Sequence, residues 1–247
     1  MVLAPAADIR SQEEAVEDGV KVTSFEGDVK IIPAGKNEQI SPKKGMILRS
    51  GDAVTTGKDS YLEMAFDEND LNTVQVEADS HVVIRLDNES NVELISGKAF
   101  TVLSNLEKDE EFRIKTPAAV CGARGTGWET STDGWVTTVS VFDNKVFLWG
   151  VEKDGRPMKK KYWVRKGYER YINKFEKPAK LRKIQRKRYD FLLSRYKKIR
   201  DARRAKIKQL KRLQAARRRA GDMHQRTLLE KAGDKPPPRR TQPPPRK

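Results

Sequence analysis

Apolar and polar residues alternate with a period of two through most of the first 150 positions. Tyr61, Glu63 and Ala65 fall on one face and Leu62, Met64 and Phe66 on the other, the alternation of a two-sided strand. The pattern recurs at Val20 and Val22, Val29 and Ile31, Val74 and Val76, Val82 and Ile84, and Val92 and Leu94. Turn-forming residues separate these runs at Glu26-Gly27-Asp28, Gly51-Asp52, Thr56-Gly57-Lys58-Asp59, Ala78-Asp79-Ser80 and Ser96-Gly97. Strands spaced about 8–12 residues apart predict an antiparallel β roll or sandwich, jelly-roll-like or a short solenoid.

The period changes after Pro178. Leu181, Ile184, Leu192, Tyr196, Ile199, Ile207, Leu210 and Leu213 recur at three- and four-residue steps in a stretch without Gly or Pro. They form a narrow apolar stripe, so residues 178–220 are expected to make one long basic amphipathic helix, ended by Gly221-Asp222. Arg188 and Arg203 interrupt the stripe, which spoils a strict coiled-coil heptad. Residues 1–19 read as a disordered N-terminus or the remnant of a secretory signal, the chain then being either a mature form or one whose start is placed too late. Residues 20–151 read as the β domain and 152–177 as an aromatic and basic transition with a last strand at Tyr162 and Val164. Residues 221–247 read as a disordered tail rich in Pro and Arg.

Charge sharpens this division. The net charge is +16, but residues 1–150 hold 15 Lys and Arg against 26 Asp and Glu, while residues 151–247 hold 36 against 9. A folded acidic module therefore carries a basic arm. The arm residues expected to meet a polyanion are Arg182, Lys183, Arg186, Lys187, Arg188, Lys197, Lys198, Arg200, Arg203, Arg204, Lys208, Lys211, Arg212, Arg217, Arg218 and Arg219. Nucleic acid, anionic lipid headgroups and envelope polysaccharide all fit such a surface. A solvated helix, a self-associating stalk, or an arm drawn back onto its own acidic module fits it too. No helix-turn-helix spacing or paired zinc ligands point to duplex reading.

Catalytic chemistry is sparse. Cys121 is the single cysteine, no histidine lies near it, and the chain has only His81 and His224. It reads as a small core residue, and no intramolecular disulfide, zinc site or cofactor is expected. Asp67, Glu68 and Asp70 lack the glycine and closing glutamate of an EF-hand loop and read as a solvated acidic loop. No hydrolase triad, phosphate-binding loop or dinucleotide fingerprint is present. Trp128, Trp135, Phe142, Phe147 and Trp149 are expected to close the core at its end, the alternative being an exposed binding face.

The run from Phe112 to Trp128 carries the most information. A short strand stops at Thr116-Pro117. Small residues Ala118 to Ala123 allow close backbone approach. Arg124-Gly125-Thr126-Gly127 then turns into the next strand. Arg124 is expected to fold onto carbonyls or a nearby carboxylate, with ligand binding as its alternative.

Together with Phe25-Glu26-Gly27-Asp28-Val29, Gly45-Met46-Ile47-Leu48, Gly51 to Gly57 and the hairpin Val139 to Val146, this run resembles the FecR domain, a bacterial extracytoplasmic β module. The resemblance covers roughly residues 20–151. It implies a roll of antiparallel hairpins and structural roles for Gly27, Gly51, Asp52, Thr56, Gly57, Thr116, Pro117, Arg124, Gly125 and Thr126. Two positions depart from the pattern: Asn144 replaces the usual turn glycine, and Asp67 to Asn72 make a longer turn. The anti-sigma activity of full FecR regulators does not carry over.

The resulting expectation is a non-enzymatic module of the cell envelope or periplasm that binds or senses an envelope component or protein partner, with the basic arm docked on an anionic surface. Its rival is a cytoplasmic nucleic-acid-associated protein acting through residues 178–220.

Overall fold

The structure is a computed structural model that describes residues 19–87, 89–104, 106 and 110–231, without the side chains of 214, 217–222 and 224–231. The expected N-terminal segment, except Gly19, and the tail beyond 231 lie outside the described residues.

Among the described residues sixteen strands precede one helix. They are β1 (Val20–Glu26), β2 (Val29–Ile32), β3 (Ile47–Leu48), β4 (Ala53–Thr56), β5 (Tyr61–Ala65), β6 (Asn72–Val76), β7 (Ser80–Ile84) and β8 (Val92–Leu103). There follow β9 (Phe112–Lys115), β10 (Ala119–Ala123), β11 (Gly127–Thr132), β12 (Val136–Val141), β13 (Lys145–Gly150), β14 (Tyr162–Arg165), β15 (Tyr168–Asn173) and β16 (Arg182–Lys183). The helix α1 runs Arg186–Lys231.

The strands are dealt to two sheets. The first has the order β3-β1-β5-β6-β8-β11-β12-β15-β16, and the second β2-β4-β7-β8-β9-β10-β13-β14. From β9 onward the chain adds hairpins to the two sheets in turn: β9-β10, β11-β12, β13-β14 and β15-β16. The protein is therefore mainly β, as the alternation predicts. One pairing is not antiparallel: β8 and β9 run parallel over Val92–Ile114 and Glu93–Lys115.

Among the described residues only β8 belongs to both sheets. Its first half pairs with β7 and β9, and its second half, from Gly97, with β6 and β11. Gly97 has φ +93°, and a Cβ there would lie 2.1 Å from Ser80 Oγ and 2.5 Å from Ser80 Cα. Glycine is thus required where the strand changes sheets. The space between the sheets is filled by the inward residues of both, including Val22, Leu62, Met64 and Val76 facing Val54, Ile84, Leu94, Ile114 and Leu148.

Three boundaries and one aromatic differ from expectation. Residues 152–177 are not a mere transition, because β14 and β15 extend both sheets. Residues 182–183 are strand rather than helix, since Glu169–Arg182 and Tyr168–Lys183 pair before α1 begins. The helix continues through Gly221 to Lys231; a lone glycine costs only about 1 kcal/mol relative to alanine, and its neighbours favour helix. Trp135 is 65% exposed at the β11–β12 hairpin tip, whereas Trp128 is fully buried in the core.

Replacing Gly97 with Ala is expected to destabilise the β domain by about 2–4 kcal/mol. Urea midpoints measure this; an unchanged midpoint would show that the strand crossing does not need glycine.

Candidate functional site

The motif residues are turn staples. The Asp52 carboxylate accepts from the amides of Ala34 and Arg49, each at 2.8 Å. Gly51 has φ +93°, and its Cβ would press on Ala34 at 2.9 Å. Thr56 is buried and donates to Glu77 O at 2.5 Å while accepting from Ser80 N at 3.0 Å. The Gly57 amide reaches Asp28 O at 2.8 Å, beside the Gly27 turn. Thr116, next to Pro117, accepts from the Ala119 amide at 2.9 Å and shares a hydroxyl contact with Thr137 at 2.7 Å. Buried Thr126 donates to Asp143 O, and the side chain of Asn144 reaches the exposed Gly125's carbonyl at 3.2 Å. Asn144 adopts φ 50°, the left-handed conformation its hairpin needs and asparagine tolerates.

The Arg124 side chain is 60% exposed, and its Nε lies 3.9 Å from Glu111 Oε1, a nearby carboxylate of the kind expected for it. Asp67 turns its carboxylate inward, accepting from the amides of Leu71 and Asn72 at 2.8 and 2.6 Å.

Cys121 is fully buried 3.3 Å from Thr130 Oγ1. Burial disfavours the thiolate and pushes the thiol to about 11, so it is no nucleophile near neutral pH. Among the described residues no three His, Cys, Asp or Glu side chains are placed to share a metal ion.

Charge concentrates elsewhere, on the outer face of the first sheet. Glu129 on β11 and Glu169 on β15 are 7% and 5% exposed, unusual places for carboxylates. Arg188 spans them, donating to Glu129 Oε1 at 2.5 Å and Glu169 Oε2 at 2.8 Å. Arg182 reaches Glu169 Oε1 at 2.8 Å and Ser140 donates to its other oxygen at 2.9 Å. One turn further along α1, buried Leu192 is followed by Arg195, which donates to Glu77 at 2.6 Å with its guanidinium 4.1 Å from the centre of the Phe100 ring. Tyr196 donates to Asp143 at 2.7 Å and lies 5.4 Å from Phe142, which stacks on Phe100. Gly127 makes room, since its Cβ would meet Tyr196 and Phe142 at 2.5 and 2.4 Å. The acidic module thus holds the start of its own basic helix.

The expected polyanion residues therefore separate. Arg182 and Arg188 are taken up by the sheet's carboxylates. Lys183, Arg186, Lys187, Lys197 and Lys198 are exposed, with Arg186 3.9 Å from Asp190. Arg200 pairs with Asp201 at 3.0 Å, Arg203 is buried, and Arg204, Lys208, Lys211 and Arg212 are exposed. The side chains of Arg217, Arg218 and Arg219 lie outside the described residues. Sequence reasoning missed Glu77, Glu129, Glu169, Arg195, Tyr196 and Gly127; charged residues inside strand patterns, Glu129 and Glu169, were the only local signal.

Residues 52–147 match the model of the FecR protein family. The chain carries a FecR domain. That match takes in Asp52 through Thr126 of the staples but begins after Gly27 and Gly51, whose strands complete the same two sheets around the FecR domain. Two crystal structures of a proposed anti-sigma factor from Parabacteroides distasonis are similar to this chain, at 12% identity with TM-score 0.41 and 13% with TM-score 0.40. Each alignment covers 53% of this chain and 59% of that one, so less than two thirds of that protein's length is spanned. No curated protein matches the chain.

Replacing Arg188 with Met leaves two buried carboxylates short of a partner and is expected to cost about 1–3 kcal/mol. Adding Glu129→Gln and Glu169→Gln should recover part of that loss in denaturant melts; no loss in the single variant would remove the clamp's structural role. The Cys121 thiol is expected to stay unreactive to a thiol reagent at pH 8 in the native chain and to react once unfolded. Stability is also expected to fall as pH rises from about 9 towards 11, where the unfolded thiol ionises and the buried one does not.

Proposed function

We propose that this chain is a non-catalytic binding or sensing module of the bacterial envelope, outside the cytoplasm, held to an anionic surface or partner by its basic helix. The observation that carries this reading is the division of labour within the arm. The arginines nearest the sandwich neutralise its own carboxylates. Arg204, Lys208, Lys211 and Arg212 remain exposed further along α1. The FecR domain supports the envelope assignment, because the resemblance is to an extracytoplasmic module. The only cysteine is buried and protonated, which suits a binding role. Among the described residues no helix is long and apolar enough to cross a membrane. The exposed cations of α1 suit peripheral attachment to an anionic surface.

Fractionation of cells expressing the native locus tests this. Recovery with the envelope, and release by high salt, is expected. Recovery in the cytoplasm bound to nucleic acid would replace this reading with a nucleic-acid-associated role for residues 178–220.

A further inference from the structure

The outer face of the second sheet carries a cluster that neither the core nor the helix uses. Directly opposite one another across four strands stand Arg113, Gly122, Phe147 and Trp163. Gly122 lets the Phe147 ring lie down on the sheet, since a Cβ there would come 2.7 Å from Phe147 Cζ. Trp149 and Trp163 flank that ring, with centroids 4.7 and 6.1 Å away and planes inclined at 61° and 88°. Trp163 is 47% exposed on β14, the last strand of its sheet.

Cations occupy the rings. Lys161 Nζ lies 4.3 Å from the Phe147 centroid, 4.5 Å from Trp149 and 5.7 Å from Trp163. Lys145 Nζ lies 4.6 Å from Trp163, and the Arg165 guanidinium, two residues beyond Trp163 on β14, lies 4.4 Å from Tyr168. Arg113 also lies 5.8 Å from the Trp149 centroid, but it and Lys115 on the same face reach Glu111 and Glu89. Basic residues on an edge strand protect it from pairing with other chains. That accounts for Arg165 and Lys161, but not for two tryptophans and a phenylalanine on the face behind them.

We propose that this face binds an acidic polysaccharide, with sugar rings against Trp163 and Trp149 and their carboxylate or phosphate groups on Lys145, Lys161 and Arg165. The charge sets the sign: Lys145, Lys161 and Arg165, in no ion pair among the described residues, favour an anion and repel a cationic ligand. The rings set the body of the ligand. Lysine stems are flexible, so Lys161 and Lys145 can swing from the rings onto an incoming anion and open apolar surface beside it. A pyranose offers an apolar C–H face to one ring at a time. Consecutive nucleobases instead need ring faces in series, and the inclinations of 61° and 88° supply none. A neutral glycan would leave the cations unused.

This deepens the binding-module reading, and the two fail separately, since cellular location does not depend on which polymer binds. The test titrates the full chain with polygalacturonate, a phosphorylated mannan, neutral dextran and poly(dT), following tryptophan fluorescence and calorimetry. Binding of at least one acidic polysaccharide and not dextran is expected. Trp163→Ala and the pair Lys145→Gln/Lys161→Gln should each weaken it roughly tenfold, and Trp135→Ala should leave it unchanged. The lysine pair changes only surface side chains, so it decides the matter if Trp163→Ala lowers the melting temperature. Failure to bind either acidic polymer, equal affinity in the variants, or tighter poly(dT) binding with the same dependence on Trp163 overturns the proposal.

Discussion

Every other feature of this protein depends on one strand changing sheets. In the second sheet β8 pairs with β7 as far as Ser96 and with β9 at Val92 and Glu93, and in the first with β11 from Gly97 and β6 from Ala99. A 12-residue strand with inward apolar residues along its length commits both sheets to one shared core. The crossing works because Ser80 closes on a residue without a side chain. Once the sheets are joined, hairpins can be added to each in turn, and the outward faces of the two sheets become separate surfaces.

Those surfaces are used differently. The first sheet presents Glu129 and Glu169 where the strand pattern leaves little exposure, and Arg182 and Arg188 satisfy them. Two buried carboxylates contribute little net stability even when paired, but leaving either without its arginine is costly. The arrangement therefore specifies where the helix starts more than it strengthens the fold. Phe100, Phe142, Leu192 and Tyr196 supply the apolar contact that the ion pairs orient. Among the described residues the second sheet has no such cover at β13 and β14, where rings and the cations Lys145, Lys161 and Arg165 face outward.

Much of this was legible in the chain. Strict alternation from Val20 to Phe66 gave the two-sided strands, because one-sided burial leaves a period of two, and glycine-bearing turns marked their ends. The FecR motifs sit at staples whose partners are close in the fold. What could not be read was non-local. Nothing near Arg188 in sequence shows that two glutamates, 19 and 59 residues away, will meet it on one face. The helix start was misplaced because residues 182–183 find a strand partner in β15, a tertiary contact that overrides helix propensity. Trp135 was expected inside and lies outside because the turn at Asp133-Gly134 holds it at a hairpin tip, with the Asp133 carboxylate accepting the Trp135 amide at 2.8 Å.

The central claim is that the two faces divide the work, one closed by the chain's own helix and one open to an anionic ligand. Amide hydrogen exchange of the full chain with and without polygalacturonate tests it most directly. The account predicts added protection across β9, β10, β13 and β14, with no change in the first turns of α1, already protected without ligand. Protection confined to the later helix, or displacement of the first turns of α1 while β13 and β14 stay unchanged, would contradict it.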